Sequence, residues 1–423
     1  MIHAKTVTAL MLSVFIISTR SIVLNVKPSG SSEVSKNTDF VKADASATLT
    51  ATSGHHPLTM PFNELSEAIG GSGKAKLIWS DLRNGVDPLD PSTSSISPRA
   101  QSNLKIMTAM DNDSLLSTTL NENDITLSSC GTQKMLMSLE DNNKIESVLI
   151  PSYKFDRTTL CVSTQIGCDR GCRFCATGKM GLIRNLKGHE IVSQVVHALR
   201  VVKKDVLMPP LRNIVFMGMG DAGQNVEEVR KAVIALTDNE GLKFANSKCT
   251  LSTVGGSPET FSQLAACPGS LAWSLHSPID EKRKRLVPST KHTTVELRDG
   301  LIKALQSRKS KKSRTMMIAC TLISGINDGV EDADALAEFV QPIIEVAGKV
   351  ALDIIPYNDI DLDGDGLVGE QGVVYRSPSV AAVKLFTDRL KKRGCYVCLR
   401  TPRGDSENSA CGMLATERKS KRN

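Results

Sequence analysis

The spacing of hydrophobic residues separates a helical N-terminal part of the chain from a longer part in which strands and helices alternate. Apolar positions between residues 62 and 82 recur every three or four residues, which predicts short amphipathic helices that end at Asn84-Gly85. Residues 87–102, rich in Pro and Ser, predict a linker. Alternating apolar and polar positions at 134–139 and 145–150, on either side of a polar turn, predict a β-hairpin.

Beyond residue 158 the pattern predicts an α/β fold, because strand-like and helix-like segments alternate and this order implies parallel strands covered by helices. Six or seven such units fit the length, so a partial (β/α)6-like barrel is as well supported as a full eightfold one. The predicted segments are 159–164, 189–202, 213–219, 226–237, 248–253, 271–275, 295–307, 315–322, 335–346, 350–356, 379–393 and 396–400.

These patterns predict five regions in the chain. A targeting leader or unstructured tail covers residues 1–57, and a small helical accessory domain covers 58–125. The β-hairpin extension covers 126–157, the barrel 158–414, and a basic tail 415–423.

The first residues have the pattern of a targeting signal. Lys5, an apolar stretch at 7–18 and Arg20 have the length and flanks of a signal-peptide core, which is too short to span a membrane. Residues 29–53 are rich in Ser and Thr and show no hydrophobic period. Together they resemble the two-part leader of proteins sent to complex plastids, with a mitochondrion as second destination. If this segment is only an unstructured tail, the expected location is cytoplasmic.

Composition excludes several classes of protein. A chain of 423 residues with 40% hydrophobic residues is not wholly disordered, and no apolar run reaches the roughly 20 residues of a membrane-spanning helix. The net charge of +7, with clusters at 282–285, 308–314 and 418–422, favours a polyanionic partner, nucleic acid first, although each cluster alone is more often a solvated loop. Eleven dispersed cysteines argue against a secreted disulfide scaffold and for reduced thiols and ligands.

The cysteine motif carries the chemistry. Cys168, Cys172 and Cys175 form CxxxCxxC, predicted in a loop directly after the first barrel strand. Three thiolates on one short loop can hold three irons of a 4Fe-4S cubane and leave the fourth iron open to a substrate. The alternative is a zinc ion with a fourth ligand from elsewhere, but zinc sites usually combine a CxxC with a second pair.

The motif and its surroundings resemble the radical SAM methyltransferases that methylate C2 of adenosine in large-subunit rRNA and tRNA. The resemblance runs from about residue 77 to 414. It is carried, besides the cysteines, by LCVSTQIGC at 160–168, RNL at 184–186, FMGMG at 216–220, LST at 251–253, SLH at 274–276, RGD at 403–405 and ACG at 410–412. The helical segment adds GKAKLIW at 73–79 and RNGV at 83–86.

This resemblance implies a cofactor set and residue roles. The cofactors are a 4Fe-4S cluster and S-adenosylmethionine (SAM), whose amino and carboxylate groups bind the open iron. Cys411 is implied as a methyl carrier, Cys161 as the thiol that resolves the protein–RNA adduct, and Glu146 as the acceptor of the C2 proton. The implied SAM contacts are Gly220, Asp221, Ser252, Ser274, Leu275, His276 and Asn358.

The resemblance also implies partners. We expect rRNA and tRNA as substrates, an electron donor such as flavodoxin or ferredoxin, no membrane, and a monomer. Phosphate contacts are expected from the basic clusters near 282 and 308 and from Lys74, Lys76 and Arg83, since such contacts position RNA without reading its sequence.

One segment departs from the family pattern. Where the family has Gly-Glu-Pro, this chain has Gly220-Asp221-Ala222, and the shorter acid loses roughly 1.3–1.5 Å of reach, a misplacement that can cost about 100-fold in rate. This departure leaves open an RNA-binding paralogue that no longer methylates. A relative that methylates C8 also stays open, because nothing in the sequence separates C2 from C8. Retention of Cys161, Cys411 and Glu146 argues against the paralogue.

Two further motifs match other functions. Gly218-x-Gly220-x-x-Gly223 has the dinucleotide-binding spacing, although it follows the third element rather than opening the domain. Residues 359–370 satisfy the calcium-loop pattern letter by letter, but they follow a strand rather than a helix. The calcium hypothesis is tested by isothermal titration, and a millimolar-only response would end it.

Overall fold

The computed structural model describes residues 55–108, 113–359, 372–400 and 412–414. The expected leader lies outside the described residues except for its last positions, as do Cys411, the basic tail and the calcium-type loop after Asp359. No helix within the described ranges is long and apolar enough to cross a membrane.

The N-terminal part contains three helices: α1 (Phe62–Ala68), α2 (Ser72–Arg83) and α3 (Pro98–Thr108). The predicted helices α1 and α2 are confirmed, and α2 ends at Asn84 as expected. Its buried positions, Ala75, Ile78, Trp79 and Leu82, recur every three or four residues along one face, which packs into the main core.

The predicted linker at 87–102 is wrong. Asp87 is buried and accepts hydrogen bonds from the backbone of Leu89 at 2.9 Å and of Leu115 at 3.1 Å, while Leu89 and Ile96 enter the core and α3 starts at Pro98. The buried carboxylate accepts hydrogen bonds from backbone N–H groups that have no partner in a helix or sheet. A Pro/Ser-rich segment can therefore be buried here without regular secondary structure.

The predicted hairpin is confirmed as β3 (Gln133–Leu139) and β4 (Lys144–Ser152), which pair antiparallel. It continues through β4 into β5 (Arg157–Cys161), also antiparallel, so the hairpin extends the barrel sheet. Two short strands, β1 (Thr118–Thr119) and β2 (Ile125–Leu127), pair with β3.

From β5 onward the strands of the main sheet are parallel, and each pairs with the next one along that sheet. Within the described ranges the first and last strands of the sheet do not pair with each other, so it stays open. The structure therefore agrees with a partial barrel. The remaining parallel strands are β8 (Leu211–Phe216), β9 (Cys249–Thr253), β10 (Ser270–Ser274), β11 (Met316–Leu322), β12 (Val350–Pro356) and β13 (Val397–Leu399).

Helices connect the parallel strands, and most lie where the periodicity predicts them. Short helices α4 (Ala176–Met180), α7 (Pro258–Ala265) and α8 (Asp280–Leu286) were not predicted, because so few turns carry too little periodicity. One hydrophobic core extends from Leu58 before α1 to Leu414 near the C-terminus. The longer helices are α5 (Gly188–Lys204), α6 (Val226–Thr237), α9 (Thr294–Gln306), α10 (Val330–Val346) and α11 (Val380–Lys392).

The cysteine motif does not follow the first barrel strand directly, as the sequence predicted. A separate two-stranded sheet intervenes, formed by β6 (Gln165–Cys168) and β7 (Gly181–Asn185). Gly167 in β6 has a φ of 75°, and a Cβ there would lie 1.9 Å from the carbonyl oxygen of Gly181. Only glycine allows this close approach, which closes the loop that carries the cysteines.

Candidate active site

A cavity opens at the carboxyl ends of the parallel strands, the end at which α/β barrels place ligands. It encloses about 1110 Å³ of non-atom space, its open mouth included. Predicted site residues that line it are Cys161, Cys168, Cys172, Cys175, Gly220, Asp221, Ser252, Ser274 and His276. Residues from β5, the cysteine loop and the segments after β8, β9 and β10 thus meet in one place.

The three motif cysteines share a buried wall of this cavity. Burial raises the pKa of Cys168 to about 12 and raises that of Cys172 well above its ordinary value, and repulsion by Cys175 raises both further. The Arg170 N–H donates to Cys168 Sγ at 3.5 Å, and the Cys175 N–H donates to the Cys172 carbonyl at 3.1 Å. A cation bound among these buried thiols would stabilise their thiolate forms and offset the effect of burial.

This donor set fits an iron–sulfur cubane, in which each thiolate binds a different iron. Within the described ranges, no three His, Cys, Asp or Glu side chains are arranged around a single metal ion. Cys168, Cys172 and Cys175 would hold the cluster, and all three line the cavity.

Asp221 is buried at the edge of the cavity in the loop after β8. Burial raises the pKa of its carboxyl group, while Arg170 and the Thr253 hydroxyl oppose that rise. Its Oδ1 accepts from the Gly223 N–H at 2.9 Å, and its Oδ2 accepts from the Val254 N–H at 3.4 Å. The short carboxylate is therefore tied to the backbone of two loops.

Ser252, Ser274 and His276 lie on neighbouring segments of the cavity wall. The two serine hydroxyls are 3.2 Å apart across β9 and β10. His276 has a φ of 61°, accepts the Thr321 N–H at Nδ1 at 3.3 Å and packs edge-on against Phe174. Burial and then Arg283 lower the pKa of His276 to about 3, so the imidazole is neutral and Nε2 carries its proton.

Three predicted site residues do not line the cavity. Leu275 is fully buried in the core, and its N–H donates to the carbonyl of Ala319 at 3.0 Å. Asn358 is buried just after β12. Glu146 lies on β4 behind the cavity rim and is also buried.

Glu146 shares a face of β4 with residues that do line the cavity. Val148 and Ile150 follow at intervals of two, and alternate residues of a strand point to the same side. Val148 pairs with Cys161 in the register of β4 and β5. Lys134, which the sequence interpretation did not single out, places Nζ 3.3 Å from Glu146 Oε1, an arrangement that stabilises the carboxylate. Alternation along β3 was the signal that could have identified it.

The segment after Cys411 is anchored beside the cysteine loop. Ala176, directly after Cys175, donates its N–H to the carbonyl of Gly412 at 2.8 Å, and the Thr177 hydroxyl donates to the carbonyl of Leu414. Gly412 and Leu414 both line the cavity.

The structure corrects part of the expected phosphate-binding surface. Arg283 is fully buried, Lys282 Nζ pairs with Asp332 Oδ1 at 2.7 Å, and Arg308 donates to the carbonyl of Gly269 at 2.8 Å. Residues 308–314 precede β11, so they lie at the end of the sheet opposite the cavity. In both Arg283 and Arg308 the guanidinium is directed at backbone carbonyls inside the protein and not at solvent.

The helical segment is corrected in the same way. Arg83 donates to the carbonyl of Gly241 at 2.6 Å, and Lys74 donates to that of Ile69 at 3.2 Å. Lys76 is exposed on α2, and Lys284 and Arg285 are exposed at the cavity end of the sheet. Exposed cations in these positions can meet a polyanion.

A partial parallel α/β barrel with CxxxCxxC at the carboxyl end of its strands defines a radical SAM enzyme. Residues 162–340 match the Radical SAM superfamily. A crystal structure of a radical SAM methyltransferase from Sphaerobacter thermophilus has a TM-score of 0.70 and 30% identity, covering 84% of this chain and 98% of that one.

Several of the similar proteins carry the name RlmN. The dual-specificity RNA methyltransferase RlmN of Geotalea uraniireducens is 37% identical over 67% of this chain and 75% of its own. The probable dual-specificity RNA methyltransferase RlmN 1 of Protochlamydia amoebophila is 34% identical over 83% of this chain and 90% of its own. A probable dual-specificity RNA methyltransferase RlmN of Prochlorococcus marinus is 36% identical over 78% of this chain and 88% of its own. The chain belongs to the RlmN family of radical SAM RNA methyltransferases.

Proposed function

We propose that this protein methylates C2 of adenosine in large-subunit rRNA and in tRNA. It uses two molecules of SAM, a 4Fe-4S cluster held by Cys168, Cys172 and Cys175, and a methyl group carried on Cys411. When bound, the cluster supplies the electron that cleaves one SAM, while the other SAM supplies the methyl group.

One observation carries the proposal: the hydrogen bond between Ala176 and Gly412. Ala176 adjoins the third cluster cysteine, and Gly412 adjoins Cys411. A radical formed beside the cluster can act only over a short distance, so a methyl carrier must lie close to the cluster loop. The anchoring of residues 412–414 to α4 supports that role for Cys411.

Cys161 supports the release step. It lines the same cavity from the end of β5, and its thiol is the nucleophile that attacks the sulfur of Cys411. A sulfur–sulfur bond then forms as the bond between the Cys411 sulfur and the methylene carbon on the base breaks, and that carbon keeps the electron pair and takes up a proton to become the methyl group. A disulfide between these cysteines has to be reduced before the next turnover.

Glu146 accepts the C2 proton of the adduct. Its carboxylate is kept ready by the ammonium group of Lys134, 3.3 Å away, on the strand face that continues into the cavity wall. Burial disfavours the charged form of a carboxylate, and a nearby cation offsets this effect.

The target base is unpaired when it reacts. A buried cavity at the strand ends admits a base only after that base has left its stack, which favours loops or an anticodon over duplex RNA. Lys76, Lys284 and Arg285 contact phosphates around it, without sequence preference.

Nucleoside mass spectrometry tests the proposal. The cluster-loaded protein, a reductant and methyl-deuterated SAM are incubated anaerobically with unmodified rRNA and tRNA. We expect 2-methyladenosine that retains two of the three deuterium atoms, since one is abstracted while the methyl group is on sulfur. Methylated adenosine that keeps all three would contradict the role of Cys411.

The same experiment separates the alternatives. Formation of 8-methyladenosine would establish the C8 chemistry. No methylated adenosine from the wild type or from Asp221→Glu, with the cluster present in both, would identify a paralogue that no longer methylates. The Asp221→Glu variant is included because its carboxylate restores the side-chain length of the family pattern.

We also propose the cellular setting. The protein acts as a monomer in an organelle, the plastid first and the mitochondrion second, and receives electrons from a flavodoxin or ferredoxin. Residues 1–57 fused to a fluorescent protein are expected to enter that organelle. A diffuse cytosolic signal would refute the targeting role, and light scattering of the purified protein tests the monomer.

A further inference from the structure

Arg170 stands inside the cysteine motif and faces the cavity. Its side chain is 13% exposed, and Nε lies 3.6 Å from Asp221 Oδ2 and 3.5 Å from Asp169 Oδ1. Both distances indicate ion pairing, and both are too long for good N–H···O hydrogen bonds. The guanidinium therefore sits beside two carboxylates without being saturated by them.

The hydrogen-bonding capacity of Arg170 is almost unused. Its buried Nε has no hydrogen-bond acceptor among the residues described, and its Nη groups donate to none of them either. Nη1 packs against Gly256, where an added Cβ would lie 2.9 Å away. Glycine at 256 thus makes room for the guanidinium beside the loop that follows β9.

Asp221, by contrast, is already engaged by its own surroundings. The Gly223 and Val254 N–H groups and the Thr253 hydroxyl donate to its carboxylate. Each acceptor oxygen of Asp221 therefore already has a donor, whereas Arg170 keeps unused N–H donors. A group that satisfies these donors within a cavity is an anion with two oxygens in one plane, because a guanidinium binds such groups bidentately.

We propose that Arg170 binds the carboxylate of the methionyl end of SAM. This inference rests on the proposed function. The methionyl end carries a carboxylate and an amino group, and the cavity edge offers a matching pair: the Arg170 guanidinium donates to a carboxylate oxygen, and the Asp221 carboxylate accepts from the N–H of the amino group. An RNA phosphate would also suit a guanidinium, but it brings no N–H group for the neighbouring Asp221 carboxylate, whereas SAM does.

Matched ligands test this role of Arg170 without measuring methylation. Calorimetry on the anaerobic, cluster-loaded protein compares SAM with decarboxylated SAM, which keeps the ammonium group and lacks the carboxylate. Arg170→Met is expected to weaken SAM about 10- to 100-fold, the effect of a lost hydrogen bond to a charged group. Decarboxylated SAM should change less than about threefold, since it cannot use Arg170.

Two further variants and a control distinguish the loss of a SAM contact from a general disturbance of the structure. Gly256→Ala displaces the guanidinium without altering the cysteine motif, and it should reproduce the selective loss. Arg170→Lys keeps the positive charge but loses the planar guanidinium, so its SAM affinity should lie between that of the wild type and that of Arg170→Met. Lys179→Met, an exposed cation on α4, should bind both ligands like the wild type. Iron content confirms the cluster in each variant.

The opposing outcomes are distinct. Equal weakening of both ligands in Arg170→Met and Gly256→Ala would mean that Arg170 only braces the loops. Unchanged SAM affinity with weaker RNA binding would identify a phosphate contact. Either result overturns the inference while leaving methylation of RNA intact. A wild type that binds no SAM would instead overturn the proposed function, and this inference with it.

Discussion

The guanidinium of Arg283 lies over the ring of Trp273, with 5.7 Å between Cζ and the ring centroid. Its Nη1 donates to the carbonyl of Ser274 at 3.3 Å, and it also donates to the carbonyls of Leu275 and Val254. A cation from α8 thereby completes the hydrogen bonding at the ends of β9 and β10, directly beneath the cavity wall.

Replacing Arg283 should destabilise the fold. Arg283→Met leaves buried carbonyl groups without donors, so we expect the free energy of unfolding to fall by about 2–4 kcal/mol. Urea denaturation measures this change. Lys284→Met, next to it and exposed, should stay within about 0.5 kcal/mol of the wild type. Equal effects of both substitutions would contradict the structural role of Arg283.

Removal of the Cys161 thiol should trap the reaction. Without a resolving thiol the methylated base stays bonded to Cys411, so Cys161→Ser should accumulate a covalent protein–RNA species and release almost no methylated RNA. Denaturing gels of reactions with labelled RNA detect that species. Cys130→Ser, which changes an exposed thiol outside the cavity, should turn over normally. Free product from Cys161→Ser would refute its assignment.

Neutralising Glu146 should slow proton removal. Glu146→Gln preserves the shape of the side chain but cannot accept the C2 proton, so the rate should drop about 100- to 10,000-fold. SAM affinity should not change, because Glu146 does not line the cavity. Glu140→Gln, exposed at the hairpin turn, is the matched control. Single-turnover kinetics compare the three proteins, and a full rate in Glu146→Gln would exclude it as the base.

Acid should destabilise the protein through buried histidines. Burial lowers the pKa of His197 and of His189 to about 4, from an ordinary value of 6.5. Between these values the unfolded chain binds more protons than the folded one, so the free energy of unfolding falls as pH drops from 6.5 towards 4. Each such histidine contributes about 1.4 kcal/mol per pH unit within this window.

The His197→Gln variant isolates one of these contributions. His197 Nε2 donates to the carbonyl of Thr118 at 2.8 Å, and a glutamine amide can make the same bond. Its stability should therefore depend less steeply on pH than that of the wild type. Urea titrations between about pH 7 and pH 5 compare the slopes, and identical slopes would contradict the prediction.

Regular periodicity predicted most of the barrel from the sequence. The bounds of α6 and β12 coincide with the predicted 226–237 and 350–356, because strong helical spacing and a continuous apolar run leave little choice. The packing of residues 87–102 could not be predicted from the sequence. A segment held by the Asp87 carboxylate carries no period, and its hydrogen-bond partners near Leu115 are distant in sequence.

The sequence by itself determined the three-cysteine motif and the class of fold, since CxxxCxxC and the alternation of strands and helices are local patterns. Only the tertiary structure decided which cations stay free. Arg283 and Arg308 look like surface charges in the sequence, yet both are buried on backbone carbonyls. It also placed Arg170 beside Asp221, and Gly412 beside Ala176. Burial and pairing depend on residues far apart in the chain, and local spacing carries no information about them.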